Sequence, residues 1–511
     1  MAVIRLIFLA IVLMLKGAGL ATFWLLRSLF RVCRRGLMAA FRRRSVTHGS
    51  ARWATFLETW RGGAFGGNGI ILAKRFGRYI RLNRPGYALV VAKTRAGKGT
   101  GIIVPSILSA KGSVIVTDVK AENYDTTQRH RRRLGPVFRL DVIDPEESDC
   151  WNPLGMVRVG SIHEPDDALA LANLLIVEDA NAAKHWDYKA QELLAALIIY
   201  VLRRYPDRPE LQTLAKVKSL LALGVDGLAE ALEDADTLGS TTLRNVASAL
   251  RGSGGTDEVH SIVSNADKAL VLFEADRPGG MVTRGTDFSM DVFKQSVASL
   301  YIIVEEDKLS VYGTFLRVVI GSALMAQTRN KADVPADKPL FIIDEAAAVG
   351  RIPELETGAG YLAAYARLLF IFQDMNQIER TYAKGKSVIA NAGAFVAFGV
   401  RELDTAKRLS EMIGRTTEIS HSQGVSQANT ALLQHQASTG RSETGRPLMD
   451  PSEILRMDER ELLLWIDGVR HPMKVRKIQF FREWRYANMW DYWRGDKKRG
   501  RRTIYRFRTD P

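Results

Sequence analysis

Cysteine is nearly absent: 511 residues hold two, Cys33 and Cys150, far apart. They make neither a disulfide framework nor a zinc site, which suits a reducing compartment. Acidic residues are missing from the first 50 positions, which carry nine Lys and Arg and a net +9. Residues 470–511 are also poor in acids, with four against fourteen basic residues, a net +10. The whole chain is +16, so residues 51–469 are left at about −3. The positive charge therefore sits at the two ends, where it suits lipid headgroups or nucleic acid, and the body is close to neutral. With 25% charged and 46% apolar residues the composition is that of an ordinary globular protein. The length predicts two or three domains.

Long apolar runs are scarce too. The one of membrane-spanning length is residues 6–26, with Lys16 as its single charge. A central lysine costs ~2.5–3.5 kcal/mol on insertion scales, which the surrounding Leu, Ile, Phe and Trp offset. No small-residue cleavage site follows, which argues against a secretory signal. Arg27, Arg31, Arg34, Arg35, Arg42, Arg43 and Arg44 come directly behind, against Arg5 ahead. The positive-inside rule then puts everything after residue 27 in the cytoplasm. A single membrane anchor is the expectation, with an interfacial amphipathic helix as the alternative.

What the chain does hold is a phosphate-binding pattern. Residues 88–108 read as a short apolar strand, a turn with Gly97, Lys98 and Gly99, and then a helix. Backbone N–H groups at such a helix start attract an anion, and the lysine adds a full charge. The spacing is that of a P-loop, G-x-x-x-x-G-K-[ST], with two departures. Ala92 stands in the first glycine position, and Gly99 stands where a magnesium-binding hydroxyl is expected. Thr100, one place later, is the candidate hydroxyl. The predicted cradle is Ala92, Lys93, Thr94, Arg95, Ala96, Gly97, Lys98, Gly99 and Thr100.

Runs near residues 70–72, 79–82, 113–122 (ending in polar residues) and 139–144 read as strands around this motif. With the intervening helical pattern they argue for a parallel sheet with crossover helices. From about residue 166 to 273 the apolar spacing is helical, with little strand signal. Strand character returns at residues 299–304 and 338–345, the latter ending in Asp344-Glu345. That is a Walker B pattern: Asp344 would organise Mg2+ and Glu345 would polarise the attacking water. Gln373 ends the next strand, where it could sense a γ-phosphate or simply cap a turn. Arg401, after a further strand, reads either as a group reaching a neighbouring subunit's phosphate or as a surface ion pair. Residues 416–445 are rich in Thr, Ser, Gln and Asn and predict a long loose loop. The end of the chain mixes Trp484, Tyr486, Trp490, Tyr492 and Trp493 with cations, which suits nucleic acid by stacking and phosphate contact, with a solvated basic tail as the alternative.

Several stretches together resemble the type IV secretion coupling proteins, the VirD4/TraG family of membrane-anchored ATPases. They are Thr47-His-Gly-Ser-Ala-Arg-Trp-Ala54, Thr94-Arg-Ala-Gly-Lys-Gly99, Thr117-Asp-Val-Lys-Ala-Glu-Asn123, Trp151-Asn-Pro-Leu154, Ile343-Asp-Glu345, Gly350-Arg-Ile-Pro-Glu-Leu-Glu356, Phe372-Gln-Asp374 and Gly445-Arg-Pro-Leu448. They run in family order over about residues 45–480. Gly99 after the lysine looks like the VirD4-type variant of the P-loop. Family members usually start with two transmembrane helices around a small periplasmic segment, and one span stands here before His48.

The resemblance implies an α/β fold: a RecA-like P-loop NTPase domain with an inserted all-α domain and an N-terminal transmembrane helix. The expected organisation is a membrane anchor over 1–30 and a basic connector over 31–86. A first RecA-like part over 87–158, the all-α insertion over 159–285 and a second RecA-like part over 286–469 follow, with a basic, aromatic-rich tail over 470–511. The resemblance also implies a homohexameric ring on the cytoplasmic face of a bacterial inner membrane. ATP and Mg2+ are the implied cofactors. The implied partners are a relaxase or relaxosome with single-stranded DNA, the secretion-channel proteins and, in some members, protein effectors. Lys98, Asp344, Glu345 and Gln373 would be catalytic, with Asp344 and Thr100 as candidate metal ligands. An FtsK-like double-stranded DNA pump and a docking receptor with little ATP turnover are the competing functions.

Overall fold

The computed structural model describes residues 47–177, 184–252, 256–329, 331, 333–352, 359–425 and 437–492. The predicted span at residues 6–26 and the last part of the basic tail lie outside the described residues. Among the described residues no helix is long and apolar enough to cross a membrane. The chain divides into two compact units, residues 52–413 with 449–511, and residues 1–51 with 414–448.

The larger unit is built on one eleven-stranded sheet. Its strands are β1 (Ile70–Arg75), β2 (Arg78–Leu82), β3 (Tyr87–Ala92), β4 (Val114–Val119), β5 (Val137–Asp141), β6 (Ser299–Val304), β7 (Leu340–Ile343), β8 (Arg367–Phe372), β9 (Ala394–Phe398), β12 (Glu461–Ile466) and β13 (Val469–Arg476). The spatial order is β2-β1-β13-β12-β9-β3-β8-β7-β4-β6-β5. From β9 to β5 every pairing is parallel. From β9 outward through β12, β13, β1 and β2 every pairing is antiparallel.

Sequence explains this division. Strands covered on both faces read as unbroken apolar runs. Tyr-Ala-Leu-Val-Val-Ala in β3 and Ser-Leu-Tyr-Ile-Ile-Val in β6 are buried at every position. The outer β13 alternates, with Arg470, Lys474 and Arg476 exposed between buried Val469, Met473 and Val475. The crossover from β3 to β4 passes over β8 and β7, so β3 has later strands on both sides. Such a reversal of winding opens a crevice at the carboxyl ends of the parallel strands, the usual place for a ligand in an open α/β sheet.

Between β5 and β6 the described residues form helices and no strand. The longest, Lys184–Arg204, buries Leu193 to Leu202 without a break. It packs beside Glu164–Leu175, where Arg203 forms an ion pair with Glu164 and donates to Leu238 O at 2.7 Å. This segment meets the sheet's covering helix Gly313–Thr328 at Gly321, where an added Cβ would stand 2.3 Å from Leu174 Cδ2.

Two expectations need correcting. The predicted loop over 416–445 is a two-stranded antiparallel ribbon in its described part, β10 (Arg415–Val425) on β11 (Ala437–Pro447). Its polar composition hides it: the two strands satisfy each other's backbone groups without an apolar alternation that marks a buried face. In the same unit His48 N donates to Thr417 Oγ1 at 3.0 Å and Thr47 Oγ1 to Glu443 at 2.8 Å. Nor is the stretch from residue 470 a tail where it is described. It supplies β13, then packs Ile478, Phe480 and Tyr486 as buried residues with Ile71, Val104 and Leu108. Of its basic residues, Arg470, Lys474 and Arg476 face outward from that strand.

Candidate nucleotide-phosphate site

β3 ends at Ala92, and the chain turns through residues 93–97 into a helix. Lys98 stands at the junction, followed by a π-helical turn, Gly99–Ile103, and the α-helix Val104–Ser109. Ala92 is still extended strand, paired in register with Phe398, so a Cβ is tolerated there. The turn needs left-handed backbone further on, at Arg95 (φ +62°) and Gly97 (φ +86°). Gly97 supplies that conformation freely. Arg95 holds it at a cost of about 1 kcal/mol or more. The first P-loop glycine is therefore dispensable because the conformational demand falls elsewhere.

Lys98 is 8% exposed. Its ammonium lies 3.0 Å from Asp344 Oδ1 and is also hydrogen-bonded to Glu345 Oε1. Both carboxylates come from the end of β7, two strands away from β3. The strand β8 between them ends at Gln373, whose Nε2 donates to Glu345 Oε2 at 3.0 Å. Four of the residues predicted as catalytic thus form one continuous chain of contacts, Asp344–Lys98–Glu345–Gln373. Glu345 reaches it from a left-handed backbone (φ +52°), a strained conformation of a kind found at functional turns.

The electrostatics are those of a desolvated cation between two acids. Burial works to lower the pKa of Lys98, but Asp344 and Glu345 outweigh it and hold it above the ordinary lysine value. Burial raises Asp344 against the pull of Lys98. A lysine so placed is charged at neutral pH and already faces oxygen ligands, so phosphate oxygens compete with the two carboxylates for the same ammonium.

Thr100 is not in this chain. Its hydroxyl donates to Gly97 O at 3.2 Å, closing the P-loop turn. A cleft of about 1660 Å3 opens beside the loop, lined among others by Lys93, Arg95, Gly97, Thr100, Arg401 and Lys477. Lys98, Asp344 and Glu345 are outside that lining. Arg401 is exposed at the cleft.

Three further residues lie at or beside the site. Thr117, in β4 beside β7, clamps Asp344 from both sides: its Oγ1 accepts from Asp344 N at 2.7 Å and donates to Asp344 O at 3.0 Å. The next residue, Asp118, is buried and accepts from Asn123 N at 3.1 Å and Tyr124 N at 2.7 Å. Burial pushes its carboxyl up to about 7, partly opposed by those hydrogen bonds. Polar residues at the end of an apolar strand were the available signal for Thr117. Lys477 donates to Ala96 O at 2.7 Å from 381 residues away, and no sequence pattern marks it.

Residues 51–500 match the family described as Type IV secretory system Conjugative DNA transfer. The conjugal transfer protein TraG of Escherichia coli is 28% identical over 401 residues, covering 74% of this chain and 63% of TraG. Protein VirD4 of Rhizobium rhizogenes is 27% identical over 450 residues, covering 85% of this chain and 65% of VirD4. The chain thus spans slightly less than two thirds of the length of these relatives. Among solved structures, the plasmid coupling protein TrwB in complex with ADP and Mg2+ superposes with a TM-score of 0.62 at 14% identity, covering 84% of this chain and 94% of TrwB. At that identity the likeness is one of fold alone. By the extent of the family match, which runs through the P-loop, the Walker B strand and the helices between, this chain belongs to the type IV secretory system conjugative DNA transfer family.

Proposed function

We propose that this protein is the coupling ATPase of a type IV secretion system, a membrane-anchored hexamer that recruits substrate and drives it into the channel by ATP hydrolysis. The substrate class is relaxase-bound single-stranded DNA, with protein effectors as a second cargo. The single observation that carries the reading is the Asp344–Lys98–Glu345–Gln373 chain at the switch point of the parallel sheet. The helical segment between β5 and β6, proposed as an inserted all-α domain, would receive the substrate.

Each residue has a role that follows from its position. Lys98 and the amides of Gly97 to Thr100 would bind the β- and γ-phosphates, with Lys98 exchanging carboxylate for phosphate oxygens. The cleft beside the loop would take the base and sugar. Glu345, released from Lys98 by that exchange, would hold a water for in-line attack and accept its proton. Gln373 would report on the γ-phosphate through its hydrogen bond to Glu345. Among the described residues no group of three or more His, Cys, Asp and Glu converges on one point. Asp344 would therefore hold Mg2+ mainly through water and phosphate oxygens, as this hard ion prefers. When bound, the ion would neutralise charge on the phosphates.

Lys98→Ala and Glu345→Gln test the reading in the full chain. Each is expected to lower DNA-stimulated ATP hydrolysis by roughly 100-fold or more, the scale of losing one preorganised electrostatic group. Glu345→Gln should still bind nucleotide. If substrate transfer continued undiminished in both variants, the protein would be a docking receptor rather than a motor.

A further inference from the structure

Lys477 is the first residue after β13, on the antiparallel side of the sheet, yet its side chain ends at the P-loop. Its backbone N–H donates to Arg460 O at 2.7 Å, which fixes where the side chain starts. Its stem runs beside the first turn of the P-loop helix: a Cβ added to Gly101 would stand 3.8 Å from Lys477 Cβ and 3.9 Å from its Cδ. The ammonium lies 4.8 Å from the ring centre of Phe398, the last residue of β9, and 2.7 Å from Ala96 O. One side chain thus touches the P-loop turn, the P-loop helix and the strand flanking β3.

The contact with Ala96 O has a directional consequence. A trans peptide is planar, and its C=O and the following N–H point in opposite directions. Holding Ala96 O toward Lys477 turns the Gly97 N–H away from Lys477. Both neighbours are left-handed, Arg95 (φ +62°) and Gly97 (φ +86°), so this peptide has no regular helix or strand to orient it. On its other side the turn is fixed, because Gly97 O accepts from Gly101 N at 2.9 Å and from Thr100 Oγ1 at 3.2 Å. The Ala96–Gly97 peptide is the one that rests on a distant side chain. It also carries an outward carbonyl that would repel phosphate if it rotated inward.

We propose that Lys477 is a positioning residue of the nucleotide site: it anchors Ala96 O so that the Gly97 amide is presented to phosphate. This rests on the reading of residues 92–100 as a nucleotide cradle. The role belongs to binding rather than to the chemical step, since Lys477 contacts neither Asp344 nor Glu345.

The experiment compares wild type, Lys477→Met, Lys477→Arg, Lys98→Ala and, as a charge control, the exposed Lys407→Met, all in the full chain. Fluorescent ADP with Mg2+ gives Kd, and ATP hydrolysis gives KM and kcat. Lys477→Met is expected to raise Kd and KM about tenfold, the usual scale for a hydrogen bond from a charged donor, with kcat within twofold. Lys477→Arg, which keeps a donor, should recover most of the affinity, and Lys407→Met should bind as wild type does. Unchanged affinity in Lys477→Met, beside a Lys98→Ala that no longer binds, would overturn this proposal and leave the nucleotide site standing. Equal losses in kcat and thermal midpoint without rescue by arginine would overturn it in favour of a structural role. If wild type failed to bind nucleotide and Lys98→Ala changed nothing, the site reading itself would fall. Should Lys477→Met not fold, Lys477→Arg and a Lys477→Gln variant decide by the same split between KM and kcat.

Discussion

At the residue scale the site works by giving each charged group a competitor. Lys98 is held by two acids, and Glu345 is held by Lys98 and Gln373, so binding of an anion changes what every member touches. Asp344 is kept still by Thr117, whose hydroxyl bonds to both its N–H and its C=O. Thr117→Val keeps the shape and removes both bonds. It is expected to lower kcat for ATP hydrolysis about tenfold, to change KM little, and to leave the far-ultraviolet circular dichroism spectrum unaltered; steady-state kinetics check this. A kcat equal to wild type would mean that Asp344 is positioned by its strand alone. Lys98, Asp344, Glu345 and Gln373 were legible in the sequence because each sits at a strand or helix end that an apolar run announces. Lys477 was not, because its partner is a backbone carbonyl brought near by strand pairing, and a carbonyl is present at every residue. Thr100 is a candidate metal ligand by spacing, and in the fold its hydroxyl proton goes to Gly97 O while its oxygen keeps acceptor lone pairs.

At the element scale the sheet does the positioning. Seven parallel strands put the ends of β3, β8 and β7 side by side, and the acids of β7 then meet a lysine some 245 residues earlier. The covering helix Gly313–Thr328 ties the segment between β5 and β6 to this sheet through a close approach at Gly321, where an added Cβ meets Leu174 Cδ2 at 2.3 Å. Gly321→Val must push Leu174 aside in a buried layer and should cost ~1–3 kcal/mol, the range for overpacking a core. Urea unfolding should show a lower midpoint with an unchanged slope; an unchanged midpoint would show that the two helices separate freely. Strands β1 to β9 were legible as apolar runs. The ribbon β10–β11 was not, being polar on both faces, and β13 was obscured by its outward lysines and arginines.

At the scale of the whole molecule, charge is segregated. The body is near neutral while the first 50 residues carry +9 and residues 470–511 carry +10. Residues 493–511 alone hold eight Lys and Arg against two Asp. The acids of the described part of this end pair with the body: Asp491 with Arg129 at 2.8 Å, and Glu483 with Lys74 at 2.6 Å. Residues 493–511 hold eight of the fourteen Lys and Arg of this end, so they are the segment on which the proposed DNA binding is tested. Deleting them is expected to weaken binding to single-stranded DNA and to flatten its salt dependence, since each lost phosphate contact removes about 0.7 from the slope of log K against log salt. Titrations at several salt concentrations measure both. An unaltered slope would place the DNA contacts elsewhere on the protein.

The sequence by itself determined the α/β character of the sheet, the ordered motifs of the family and four residues that the fold brings into contact. It could do so because burial on both faces forces an unbroken apolar run, and because phosphate binding needs its lysine at a helix start. The tertiary structure alone decided which strand lies between β3 and β7, that Thr117 clamps Asp344, and that Lys477 reaches Ala96. Those depend on the order in which strands pair. Strand order is set by packing among elements hundreds of residues apart, and no local pattern records it.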